Sequence, residues 1–301
     1  MTLSPPGIGQ TTPVPVSLEA PSRAAGVPRF RRYPRLYIGG ALVLVLILMA
    51  VFAPVLSPHD PIVGDVSNGL QAPSFSFWLG TDDQGRDVLS RVIWGSRISL
   101  SVAVISVSIG MVLGVTIGLI AGYAGGVADL LLMRFIDALL AFPALLLAIS
   151  ITAALGPQIQ NAMIAIGVVA IPVYARLTRG QVLSLREREY ITAARAIGVN
   201  AGRIAVRHIL PNMANSLIVQ ATLTTAFAIL QEAVLSFLGL GAQPPTPSWG
   251  QDINYNQRYI TNLMWWGSVG PGVAIFLAVF AFNFLGDALR DWLDPQFRRR
   301  A

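Results

Sequence analysis

The chain of 301 residues contains no cysteine, which excludes disulfides, thiolate metal sites and cysteine nucleophiles. It contains no lysine either, because all 21 basic residues are arginine. A nucleotide-binding P-loop relies on its lysine to reach the phosphates, so that ATP site is absent from this chain. Only two histidines occur, His59 and His208, and both sit in polar stretches between apolar runs. A membrane-embedded enzyme would need histidines, acids or an activated serine clustered inside such a run. Charge is also scarce, at 12% of residues, and the arginines form no stripe interleaved with aromatics, so nucleic acid is not an expected partner. No internal repeat is visible, in contrast to the paired halves common in secondary transporters.

What is present is apolar length. Hydrophobic residues make up 54% of the chain and the mean hydropathy is +0.62, more apolar surface than one soluble domain of this size can hide. Membrane lipid must cover much of it. The expected fold is an all-α integral membrane protein with six transmembrane helices. Residues 1–35 read as a cytoplasmic tail, largely disordered because Pro, Ser, Thr and Gly dominate it, and 36–56 as the first spanning helix. Residues 57–97 read as an extracytoplasmic segment, with a surface helix carrying Val88, Leu89, Val92 and Ile93. A five-helix core follows over 98–290, its helices expected at about 98–123, 128–154, 161–177, 213–240 and 269–289. Pro143 and Pro172 are its expected kinks. The core includes a polar hairpin over 185–212, between helices 4 and 5, and an outer loop over 241–268; residues 291–301 form a cytoplasmic tail. Arginine placement orients this arrangement. With both ends inside, only Arg86, Arg91, Arg97 and Arg258 of the 21 lie outside and the other 17 lie inside.

Several residues stand out against this background. Gly110, Gly114, Gly118 and Gly122 recur every four residues, a smooth face that lets another helix backbone approach in lipid. Asp137 falls within the third helix and Glu232 near the outer end of the fifth, where ionisable residues are candidates for a translocation path. Arg134, three residues before Asp137, makes a structural ion pair an equal reading, and Glu232 could equally bond to neighbouring helices. An ion-gradient-driven secondary transporter using these two carboxylates is the rival function. Asp82, Asp83 and Asp87 have the short spacing of a hard-cation site, but Arg86 and Arg91 lie among them, which favours a capped, salt-bridged helix start over a metal. With Trp249, otherwise an interfacial aromatic, Asp82, Asp83, Arg86 and Asp87 are the candidates for contact with an external partner.

The hairpin is the organising stretch: LREREYITAARAIGVNAGRIAVRHILPN, from Leu185 to Asn212. Tyr190, Ala193, Ala194 and Ile197 fall at helical spacing, Gly198 and Asn200 interrupt, and a second short helix carries Ile204, Arg207 and His208 before Pro211 stops it. Ala193, Ala194 and Gly198, followed by Leu210 and Pro211, resemble the cytoplasmic "EAA" loop of ABC importer permeases. Thr192 stands where that loop has its Glu, with Glu189 three residues earlier, and His208 stands where Ile is usual. LGTDDQGRDVLSR (Leu79 to Arg91) and QEAVLSFLGLGAQPP, which contains Glu232, resemble the C-type permease of the dipeptide and oligopeptide import family. The resemblance spans about Leu36 to Arg299. It implies a non-catalytic permease in the cell inner membrane, alternating access, a homologous second permease subunit, two ATP-binding subunits that carry ATP and Mg, and an extracytoplasmic solute-binding protein. It further implies that Glu189, Tyr190, Ala193, Ala194, Arg195, Gly198, Arg207, Leu210 and Pro211 couple the ATPase to the membrane helices. No cofactor or metal is expected in the chain itself.

Overall fold

The computed structural model describes residues 34–293. The expectations for the N-terminal tail up to residue 33, and for the arginine cluster Arg298 to Arg300, fall outside the described residues. Helix α1 (Pro34–Val51) continues after a break into α2 (Ala53–Leu56). Helix α3 (Val88–Ala124) is a single helix of 37 residues where the sequence suggested a surface helix and then a separate span. At about 1.5 Å per residue it reaches about 55 Å, well beyond a hydrocarbon core of about 30 Å, so the core cannot hold all of it. Asp87 starts it, its carboxylate accepting the Ser90 N–H at 3.0 Å.

The expected third span is broken. Helices α4 (Gly126–Leu140) and α5 (Ala144–Leu155) meet at 90°. Pro143 lies at the corner: it lacks an N–H, and it disfavours helical backbone at Phe142 before it. Helix α6 (Ile159–Leu185) is unbroken, with Pro172 inside it. The hairpin carries α7 (Glu189–Ala196) and α8 (Ala201–Ile204), and then α9 (Leu210–Phe237) returns outward. Helix α10 (Trp249–Asn256) lies in the outer loop, and α11 (Trp266–Leu293) ends the described chain. Among the described residues five helices are long and apolar enough to span a membrane, or six if the bent α4–α5 pair counts as one.

Helix α6 is central, with 56% of its most apolar stretch buried against 17% for α1. Its main partner is α3, and the four glycines are the seam. A Cβ on Gly110 would lie 2.6 Å from the Ala170 Cβ, one on Gly114 2.6 Å from the Ile171 carbonyl, and one on Gly122 2.8 Å from the Val182 Cβ. One on Gly118 would run into the Ala175 carbonyl. Side chains there would push the two backbones apart, which removes the close contact that holds helices together in lipid.

Candidate functional site

At the inner end, α6 stops at Leu185 and the chain turns through Arg186, whose guanidinium donates to the Gly122 carbonyl at 3.0 Å. That places a cation on the C-terminal end of α3, where the helix dipole favours it. Helix α7 then presents two faces. Ile191 is fully buried and Ala194 packs against the core, while Tyr190 is 44% and Ile197 81% exposed, and Ala193 is exposed with them. The sequence grouped Tyr190, Ala193, Ala194 and Ile197 on one face of a surface helix. In the structure Tyr190, Ala193 and Ile197 point away from the chain while Ala194 turns toward the core, leaving an apolar face with no cover among the described residues.

Gly198 has a definite role. It has φ +80, its N–H donates to the Arg195 carbonyl at 3.0 Å, and the Val199 N–H donates to the Ala194 carbonyl at 3.1 Å. This pair of bonds is the Schellman closure of a helix C-terminus, and the left-handed residue it needs is most easily glycine. The AA-x3-G spacing therefore reads as geometry: Ala194 supplies the carbonyl and Gly198 the turn. Asn200 caps α8 by accepting the Arg203 N–H at 2.8 Å. Pro211 does not stop the backbone, contrary to the sequence expectation. A π-helical turn (Ala205–Ile209), closed by the Leu210 N–H on the Ala205 carbonyl, carries the helix through. The wider turn relieves the proline ring, which crowds the carbonyl four residues back. Arg195 lies over the Tyr123 ring at 5.5 Å, and Arg207 and Pro211 line a shallow recess of about 650 Å³ with Val206 and Arg203.

The outer end is built from buried charge. Arg86 pairs with Asp82 at 2.6 Å, and Arg91 donates to Asp252 at 2.8 Å and to the Pro61 carbonyl at 2.8 Å. Asp82, Arg86, Asp87 and Trp249 are at most 3% exposed, and Asp83 is held by Arg258 at 2.9 Å. The expectation that these five meet an external partner is corrected, since four of them are sealed inside the chain. Trp249 is no belt residue either: its indole N–H donates to the Val92 carbonyl at 2.8 Å, in space left open by Gly95. Burial pushes the Asp252 carboxyl above the ordinary 3.8, against the opposing pull of Arg91. Among the described residues no group of three or more His, Asp or Glu is placed to hold a metal.

Residues 114–299 match the binding-protein-dependent transport system inner membrane component family, and 27–73 match the N-terminal transmembrane domain of oligopeptide transport permease C. The chain belongs to this inner-membrane permease family. It is 48% identical over 87% of its length to a dipeptide transport system permease protein of Alkalihalophilus pseudofirmus, covering 86% of that protein. It is 45% identical to a di/tripeptide transport system permease protein of Pseudomonas aeruginosa (88% and 89% covered) and 43% identical to a glutathione transport system permease protein of Pectobacterium atrosepticum (89% and 90% covered). A solved methionine ABC transporter in inward-facing conformations shares the fold: TM-score 0.52, 21% identity, 67% of this chain and 97% of that one covered.

Within this permease the two intramembrane acids part company. Glu232 is fully buried and accepts hydrogen bonds from Ser99 and Ser236 at 2.7 Å and from Ser248 at 3.0 Å, so it ties α3, α9 and the outer loop together and faces no open route. Asp137 is paired with Arg176 at 2.7 Å, not with Arg134 as the spacing suggested. Sequence reasoning missed Asp252, Ser99, Ser248 and Arg176. Arg91 and Asp252 stand 161 positions apart, and no local pattern signals such a pairing.

Proposed function

We propose that the chain is one transmembrane subunit of an ATP-driven importer of di- or oligopeptides or related small solutes, and that its hairpin over 185–212 receives the ATPase. The observation that carries this reading is the open apolar face of Tyr190, Ala193 and Ile197 on a helix whose end is locked by Gly198. Such a face is costly to leave in water, and its rigid cap lets a push on α7 reach α6 and α9 instead of being lost in a loose loop. Glu189 borders the face and gives it charge to orient a partner. The peptide class follows from the relatives' names. The assembly is one of this chain with a homologous second permease, two ATP-binding subunits that carry ATP and Mg, and an extracytoplasmic solute-binding protein. The sequence assigns 17 of the 21 arginines to segments on the hairpin's side, a bias that supports cytoplasmic termini and a cytoplasmic hairpin.

The work of this chain is alternating access. Nucleotide shifts such an equilibrium only by favouring one state, so the closing of the ATPases must be transmitted rigidly through α7. The test is mild-detergent purification of the tagged chain from its own membrane. Co-purification of a P-loop ATPase and a second permease is the expected result, with the ATPase alone lost in Ile197→Asp. Recovery of the chain alone, with gradient-driven uptake intact, would overturn the reading.

A further inference from the structure

One set of charges on the spanning helices lies in the open. The Asp137–Arg176 pair joins α4 to α6, and its side chains remain 45% and 57% exposed. Arg134, one turn before Asp137, is exposed and makes no ion pair or hydrogen bond among the described residues. The Asp129–Arg179 pair continues the row between the same two helices, more covered at 18% and 36%. Acyl chains are poor cover for such a face, because one ionised side chain deep in a bilayer costs about 2.5 kcal/mol or more. Water or protein must meet it instead.

We propose that this face lines the aqueous route, and that Asp137 with Arg134 and Arg176 forms a transient site for a solute bearing one ammonium and one carboxylate. The inference rests on the importer reading above and names the chemistry its route accepts. A zwitterion can replace both partners of a guanidinium–carboxylate pair at once. Its ammonium takes the Asp137 carboxylate while its own carboxylate takes Arg176 or the spare Arg134. Every charge stays paired through the exchange, so passage leaves no bare ion behind. Exposure is what makes this exchange possible. A solvated pair is worth only about 0–1 kcal/mol and opens readily, whereas the sealed Arg91–Asp252 pair does not.

The absence of native cysteine makes the test direct. Ala141 lies one turn after Asp137, Val173 lies three residues before Arg176, and both are exposed. Phe135, 55% exposed, sits about 160° round α4 from Asp137 and serves as the lipid-facing control. In the assembled transporter in vesicles, Ala141→Cys and Val173→Cys should react with an impermeant charged thiol reagent about tenfold or more faster than Phe135→Cys. A dipeptide with free termini should slow that reaction, and the same peptide acetylated and amidated should not. Arg134→Gln should raise KM for the free dipeptide more than for its C-terminal amide, whereas a merely structural role would move both alike. No reaction at either position would overturn the aqueous face, and reaction without protection by dipeptide would overturn the binding site. Wild-type vesicles that bind ATPase and peptide-loaded binding protein yet take up no peptide would instead overturn the importer reading, whatever the accessibility of the two cysteines.

Discussion

The outer and inner ends of this permease use charge in opposite ways. Outside, Asp82, Arg86, Asp87, Arg91, Glu232 and Asp252 are all at most 3% exposed and close the loops onto α3 with one another and with serines. At the hairpin, Glu189, Arg195 and Arg207 are exposed, and α7 carries an uncovered apolar face and touches the rest of the chain chiefly through Ile191 and Ala194. A buried ionic cluster tolerates little displacement, because each charge depends on its partner for compensation. A solvated, thinly attached helix can follow whatever binds it. The outer end is thus built as a fixed frame and the inner end as a surface that nothing among the described residues covers.

The largest test of that contrast removes one buried partner. Arg91→Met strands the Asp252 carboxyl and should destabilise the purified protein by about 3–5 kcal/mol, read by thermal unfolding in detergent. It also sets a pH dependence. With Arg91 gone the folded Asp252 value rises further above 3.8, so its contribution is fully present below the unfolded value and is lost as pH rises through the folded one. The variant's Tm should therefore fall between weakly acidic and neutral pH, and the Arg91→Met, Asp252→Asn double variant should flatten that slope.

Next in size is the seam that connects the two ends. Gly118→Leu places a side chain against the Ala175 carbonyl and should cost about 1–3 kcal/mol or prevent α3 and α6 from packing, seen as lost yield or lowered Tm. Gly198→Ala imposes a left-handed alanine at about 1–2 kcal/mol, confined to the hairpin; transport should fall while global Tm moves little. A large drop in Tm with normal transport would show that the hairpin is structural frame like the outer end. Smallest in stability is Ile197→Asp, expected within about 0.5 kcal/mol of wild type because the side chain is 81% exposed. Its effect should appear only in ATPase association, measured by pull-down. If it destabilised the isolated chain as Arg91→Met does, the contrast between the ends would fail.

Legibility in the sequence followed the range of the interaction. The glycine face, the Asp87 cap and the Gly198 turn are set within a few residues, so spacing alone pointed to them. On α7 spacing put Ala194 on one face with Tyr190, Ala193 and Ile197, because Ala193 and Ala194 are equally small and apolar, and only the position of the core shows that Ala194 turns inward while the other three turn out. The expected boundary within α3 failed for a related reason: polar residues around Arg97 look like a helix start, yet they sit on a helix already begun at Val88.

By itself the sequence determined that this is a helical membrane protein and where a polar hairpin interrupts it. Run length and Gly or Pro punctuation act locally and survive without knowledge of the fold. The tertiary structure alone decided that Asp252 belongs to Arg91 and Asp137 to Arg176, that Trp249 is buried, and that α4 turns away from α5. Those outcomes depend on which helices lie side by side, and in a chain this apolar many pairings would satisfy the same hydropathy pattern. Close packing along the Gly110–Gly122 seam, and the need to pair every buried charge, select one of them.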